Sequence, residues 1–157
     1  MKTSRAHRSF ENSRLAVFVS GRGSNLQVML NQPDDFPVAL VVCNRKNAAA
    51  VLKAKRAGVP CFLMNTKTEW FEVTAQLKAY RINLIYLLGF MKILPEKVCQ
   101  EWEGRMINIH PSLLPLNPGL EGFEKSFSQK QCLGVSLHEV IPEMDAGPLI
   151  FQKEFFS

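Results

Sequence analysis

Short, nearly continuous apolar runs alternate along this chain with segments whose apolar positions recur every three or four residues. Leu15–Val19, Val38–Cys43, Pro60–Leu63, Leu84–Leu88 and Met106–His110 are too short for helices and mostly lack polar alternation, so they read as strands buried on both faces. Ser24 and Asn25 are placed to cap a helix that runs through Gln27, Met29 and Leu30. Asn47 is placed to cap a helix over Ala48–Ala57, which Gly58 would stop. Thr66 or Thr68 opens the next helix; its Trp70, Val73, Leu77 and Tyr80 form one apolar stripe, read as a core face rather than an aromatic binding box. A short helix from Pro95 to Trp102, a helical stretch near Phe123–Gln129 and two further strands, Val135–Val140 and Leu149–Phe155, complete the pattern.

Such alternation implies parallel pairing through right-handed crossovers, with helices covering both faces of the sheet. The expected fold is an open, mostly parallel α/β sheet, one domain over residues 15–157 after a flexible basic tail over residues 1–14. In such sheets ligands bind beyond the carboxyl ends of the strands, which singles out the positions after Val19, Leu88 and Ile109. The 157 residues are 46% hydrophobic, enough for a sizeable core, yet no apolar run approaches the ~20 residues that span a bilayer. Much of the net charge of +5 sits in the first fourteen residues, where Lys2, Arg5, Arg8 and Arg14 stand against Glu11. No basic stripe marks the rest, so nucleic acid is not an expected partner. Cys43, Cys61, Cys99 and Cys132 are scattered, without Cys-x-x-Cys or a Cys/His cluster; they are expected to be reduced thiols of a cytoplasmic protein that binds no metal.

Three motifs carry candidate chemistry. Ser20-Gly21-Arg22-Gly23-Ser24-Asn25 joins a strand to a helix. Two glycines admit close backbone approach and the helix start offers free N–H groups, which suits one phosphate of a small substrate. Leu26 stands where a dinucleotide fingerprint has its third glycine, and no Gly-Lys-Ser/Thr follows, so NAD and ATP are disfavoured. Asn108 and His110, two apart on a strand, point to one face. An amide that holds a developing oxyanion, beside an imidazole that carries a proton, suits acyl transfer. Asp145, in the loop Pro142–Pro148, either orients His110 or forms the turn; the loop taken alone favours the turn.

Together these motifs resemble the glycinamide ribonucleotide transformylases, the folate-dependent formyltransferases of purine synthesis. The family's Gly-x-Gly-Ser-Asn-Leu loop is matched by Gly21–Leu26, and its Gly-Phe/Tyr-Met-Arg-Ile-Leu segment by Gly89–Leu94 with Lys92 in place of arginine. Its Asn-Ile-His-Pro-Ser-Leu-Leu-Pro string is matched in full by Asn108–Pro115, and its Asp-x-Gly-Pro loop by Asp145–Pro148. The resemblance implies a Rossmann-like formyltransferase fold and formyl transfer from 10-formyltetrahydrofolate to the amine of glycinamide ribonucleotide, without a metal. It implies that Asn108 binds the formyl oxygen, that His110 stabilises the tetrahedral intermediate and relays a proton, and that Asp145 positions His110 and assists removal of the amine proton. Gly21, Arg22, Gly23, Ser24 and Asn25 would hold the substrate phosphate. Met91, Lys92, Ile93, Leu94, Asn108, Glu143 and Asp145 would line the folate pocket, largely through backbone groups. The implied partners are small molecules, with neither nucleic acid nor membrane, and the implied state is a monomer or homodimer.

The sequence also departs from that pattern. A histidine pair frequent in the family after Pro-Gly-Leu is absent, since Pro118-Gly119-Leu120 is followed by Glu121-Gly122-Phe123. Lys67 stands in for an arginine expected near the Trp70 helix. His138 matches a recurring family histidine and reads as a structural strand residue. Family members continue beyond the equivalent of Ser157, so the chain reads as truncated at its C-terminus and is expected to be weakly active or inactive. Other readings are a formyltetrahydrofolate hydrolase-like enzyme, with water replacing the amine, and a truncated, non-catalytic folate- or nucleotide-binding module. A sugar or methionyl-tRNA formyltransferase shares the Ser-Leu-Leu-Pro string but usually adds a second domain and lacks the Gly-Ser-Asn-Leu loop.

Overall fold

The computed structural model of the chain describes residues 12–156. Most of the expected basic tail, residues 1–11, lies outside the described residues. Residues 12–14, counted above with the tail, are bonded into the domain. The Arg14 N–H donates to Asn83 Oδ1 at 2.9 Å, Arg14 Nε–H to the Tyr80 carbonyl at 2.7 Å, and Asn83 Nδ2–H to the Asn12 carbonyl at 3.2 Å.

Strands and helices then follow in the anticipated order: β1 (Leu15–Val19), α1 (Ser24–Leu30), β2 (Val38–Cys43), α2 (Ala49–Arg56), β3 (Cys61–Leu63), α3 (Trp70–Ala79), β4 (Leu84–Leu87), α4 (Glu96–Glu101), β5 (Met106–His110), α5 (Gly122–Ser128), β6 (Leu133–Glu139) and β7 (Leu149–Phe156). They form one sheet in the order β3-β2-β1-β4-β5-β6-β7. The five strands β1 to β5 pair in parallel, as their alternation with helices requires. β6 and β7 run antiparallel to their neighbours. The segment that carries α5 turns at the carboxyl end of β5, where Ser136 faces His110, and does not cross back over the sheet.

Successive side chains of a strand point to opposite faces, and the core divides accordingly. Ala16, Phe18, Leu40, Val42, Ile85, Leu87 and Met106 pack beneath Val73 and Leu77 of α3 and Val98 of α4. Leu15, Val17, Val19, Val41 and Cys43 pack beneath Leu26 and Met29 of α1 and Ala50 and Ala54 of α2. Each fully buried Leu, Val or Phe contributes ~1.5–3 kcal/mol, so β1, buried along its whole length, anchors both layers. At the other extreme, the edge strand β7 leaves Leu149, Ile150, Phe151 and Phe155 exposed.

The helix starts differ in detail from expectation. Gly23 is the N-cap of α1, in the left-handed conformation with φ 68°, and Ser24 is already helical. A Cβ at Gly23 would stand 2.8 Å from the Ala50 Cβ, so the turn requires glycine and the capping serine is displaced by one position. Ala48, not Asn47, precedes α2. Thr68 accepts the Asn65 N–H at 2.9 Å, and α3 instead starts after Glu69, whose N–H is taken by the Glu72 carboxylate at 2.7 Å. All four cysteines are free. Among the described residues no helix is long and apolar enough to cross a membrane.

Candidate active site

β4 and β5 align Leu87 with Asn108 and Ile85 with Met106, so Asn108 and His110 continue the face that carries Phe18, Leu87 and Met106. Across β5 and β6 the same face pairs Asn108 with His138 and His110 with Ser136. The apolar core thus gives way to polar side chains at the carboxyl half of β5. Among the described residues five of the six buried polar ones, His110, Ser112, Ser126, Ser136 and His138, belong to this region. Buried polar groups require partners, and here each has one.

Asp145 lies at the centre. Its loop brings it back over the strands with φ 52°, a conformation that aspartate adopts more readily than most residues. Asp145 therefore forms the turn and faces His110 as well. Oδ2 accepts the Gly119 N–H at 2.6 Å and faces His110 Nδ1 at 3.4 Å. Oδ1 accepts from Asn108 Nδ2 at 3.3 Å and faces His138 Nε2, also at 3.3 Å. The three ionisable side chains are 8% (Asp145), 5% (His110) and 3% (His138) exposed. Burial pushes the Asp145 carboxyl up. The His138 and Gly119 hydrogen bonds and the charges of the two imidazoles outweigh that and hold it below its ordinary value.

The far nitrogen of each imidazole is bound to a backbone carbonyl. His110 Nε2–H donates to the Asn117 carbonyl at 2.8 Å, and His138 Nδ1–H to the Glu139 carbonyl at 2.9 Å. A carbonyl only accepts, so these nitrogens carry hydrogen. His110 Nδ1 and His138 Nε2 are the nitrogens that face the one carboxylate. Asn108 Nδ2 donates to His138 Nε2 at 3.1 Å when that ring is neutral.

The carboxyl ends of β1 and β4 lie beside β5 on the same edge. Gly21, Arg22, Gly23, Ser24 and Asn25 form the turn into α1, with Arg22, Ser24 and Asn25 exposed. Ser20 ties this turn to its neighbours: its hydroxyl donates to Asn44 Oδ1 at 2.6 Å and accepts the Met91 N–H at 2.8 Å, and its N–H donates to the Gly89 carbonyl at 3.2 Å. The segment after β4 is anchored by Phe90, whose ring meets Phe18 and Trp70 edge-on. Met91 and Ile93 are 56% and 79% exposed, and Lys92 Nζ lies 5.8 Å from the centroid of the Trp70 ring. Leu94 packs against the core instead, and Glu143 is exposed in the loop before Asp145.

The structure therefore brings Asn108, His110 and Asp145 together. It adds His138, which the strand pattern had relegated to a structural role. The signal was present: in β6 the polar Ser136 and His138 alternate with Val135 and Leu137, and the polar face is the buried one. Ser20 and Asn117 carried no comparable signal, because their roles arise from contacts between distant segments. Among the described residues no cluster of His, Cys, Asp and Glu is suited to hold a metal ion.

A family model described as formyl transferase matches residues 13–156. The chain is 37% identical over 163 residues to the trifunctional purine biosynthetic protein adenosine-3 of Drosophila melanogaster, covering 92% of this chain and 12% of that protein. It is 34% identical over 151 residues to the phosphoribosylglycinamide formyltransferase of Bacillus subtilis, covering 89% of this chain and 77% of that protein. Its fold matches the crystal structure of phosphoribosylglycinamide formyltransferase from Anaplasma phagocytophilum with a TM-score of 0.88 at 36% identity, covering 92% and 72% of the two chains. The chain thus spans a small part of the trifunctional relatives and about three quarters of the Bacillus protein.

Proposed function

The chain belongs to the formyl transferase family, and from that premise we propose that it transfers a formyl group from 10-formyltetrahydrofolate to the amine of glycinamide ribonucleotide, a step of purine synthesis. The observation that carries this reading is the convergence of Asn108, His110 and His138 on the Asp145 carboxylate. The folate supplies a formyl group on a nitrogen that can leave. When the amine adds to the formyl carbon, negative charge develops on the formyl oxygen, and hydrogen-bond donors aimed there lower the barrier. Asn108 Nδ2 is such a donor once it exchanges one of its two present acceptors, His138 Nε2 or Asp145 Oδ1, for that oxygen. His110 Nδ1 relays a proton to the folate nitrogen as it leaves, and Asp145, held ionised, stabilises the charged ring and assists removal of the amine proton, so the proton that the amine loses balances the one that the folate gains.

The turn Gly21–Asn25 is proposed to take the phosphate, on its backbone and the free N–H groups that open α1. Met91, Lys92, Ile93 and Leu94, with Glu143, are proposed to border the folate. The exposed apolar side chains of Met91 and Ile93 and the Lys92 ammonium beside Trp70 suit a flat ring system that ends in carboxylates. The setting proposed is the cytoplasm, in agreement with four free thiols. Incubation with both substrates and analysis by mass spectrometry tests the assignment. Formylglycinamide ribonucleotide is the expected product; formate released at the same rate without the amine favours the hydrolase.

A further inference from the structure

We infer that Asn117 and Gly122 form a seat that decides which nitrogen of His110 exchanges the proton, a role that rests on the formyl-transfer reading for its use but not for its existence. His110 Nε2 lies 2.8 Å from the Asn117 carbonyl, which is thereby the acceptor of the Nε2 hydrogen. That carbonyl is rigidly presented. Asn117 sits at φ 48°, and its side-chain amide donates to Ser126 Oγ at 2.9 Å and to Gln131 Oε1 at 2.6 Å. Ser126, on α5, in turn donates to the Gly122 carbonyl at 2.8 Å. α5 and the residues after it therefore hold the acceptor from behind.

Gly122 closes the seat. A Cβ there would stand 2.8 Å from His110 Nε2, 3.2 Å from its Cε1 and 3.2 Å from the Asn117 oxygen. Contacts this short force either the ring or the carbonyl to move. The ring therefore lies where it does because residue 122 has no side chain. With Nε2–H committed to Asn117, only Nδ1 is left to gain and lose a proton, and it does so 3.4 Å from Asp145 Oδ2. The opposite tautomer would set a ring lone pair 2.8 Å from the Asn117 carbonyl, a closer approach of two acceptors than the bare Nδ1 makes to Asp145 Oδ2 at 3.4 Å. Asn117, Gly122 and Gln131 are positioning residues, acting on the reaction through His110.

The test is the pair of imidazole nitrogen resonances of His110, recorded by long-range proton–nitrogen correlation on the substrate-free protein at a pH where the ring is neutral. In the wild type, Nε2 is expected to carry the hydrogen and Nδ1 to be bare. Gly122→Ala is expected to give a mixture of tautomers and to lower kcat by about 10- to 100-fold, the order of loss that a small misplacement of a reacting group produces, with both KM values little changed. Gln131→Leu, which touches neither His110 nor Gly122, removes one of the two acceptors of the Asn117 amide and is expected to shift the same resonances the same way. Gln131→Glu keeps that acceptor and is expected to restore them, so the Gln131 pair decides should Gly122→Ala fail to fold. A wild-type ring protonated on Nδ1, or wild-type resonances in both Gly122→Ala and Gln131→Leu, would overturn the inference. Because the spectra need no substrate, a failed turnover assay with these spectra as expected counts against the formyl-transfer reading and not against the seat.

Discussion

Asp145 Oδ2 stands 3.4 Å from His110 Nδ1, and the two residues reach each other from a strand and a distant loop only because that loop folds back over β5 and β6. The contact joins an ionised carboxylate to the one nitrogen of the ring that the backbone leaves free. Replacing the charge while keeping the shape isolates its contribution. Asp145→Asn is expected to lower the single-turnover rate of formyl transfer by about 10²–10³ while the protein still melts cooperatively. A variant with wild-type rate would show that the carboxylate only shapes the turn.

The same carboxylate links stability to acid. Asp145 binds its proton less readily in the folded protein than its ordinary value of 3.8 implies, through the hydrogen bonds of His138 and Gly119 and the neighbouring imidazoles, despite its burial. A depressed folded value contributes stability that is complete above 3.8 and is lost as the pH falls through the lower, folded value. The stability advantage of the wild type over Asp145→Asn is therefore expected to shrink as the pH falls below the ordinary carboxylate range. Denaturant melts of both proteins across that range measure it; an advantage that grows in acid would reverse the sign.

Two neighbouring glycines separate folding from binding. A Cβ at Gly23 would collide with Ala50 in a left-handed turn, whereas a Cβ at Gly21 meets nothing within 4 Å. Gly23→Ala is expected to cost about 1–2 kcal/mol or more in folding. Gly21→Ala is expected to fold normally and to raise the KM for glycinamide ribonucleotide far more than that for the folate. Equal changes in both KM values would mean that Gly21 does not approach the phosphate.

Much of the fold was legible because its strands are apolar on both faces and its helices are marked by Pro, Gly and periodic Leu, Val and Ala. The antiparallel turn of β6 and β7 was not, since an apolar run has no direction until its connection is seen. In the site, Asn108 and His110 stood out as polar residues in a buried strand. His138 carries the same mark but lies where a strand histidine is ordinarily structural, and its place beside Asp145 comes from the pairing of Asn108 with His138. Asn117 and Ser20 act through backbone groups and cross-segment hydrogen bonds, which no local pattern encodes.

The thiols provide an independent check on packing. Burial, with Cys43 nearby, pushes the Cys61 thiol up to about 11, and a hydrogen bond to Glu154 raises that of the exposed Cys132. Glu154→Gln is expected to speed alkylation of Cys132 at mildly alkaline pH, without affecting Cys61. Mass mapping of labelled peptides reads both at once, and an unchanged Cys132 rate would remove Glu154 from its surroundings.

The central claim is that Asn108, His110 and Asp145 form a single acyl-transfer site. Single-turnover transfer from 10-formyltetrahydrofolate, with and without glycinamide ribonucleotide, tests it most directly in the wild type and in Asn108→Ala. Formyl loss that depends on the amine and falls by about 10²–10³ in the variant is the predicted result. A folded wild-type protein that consumes the folate no faster with the amine than without it, or an Asn108→Ala variant that transfers at the wild-type rate, would contradict it.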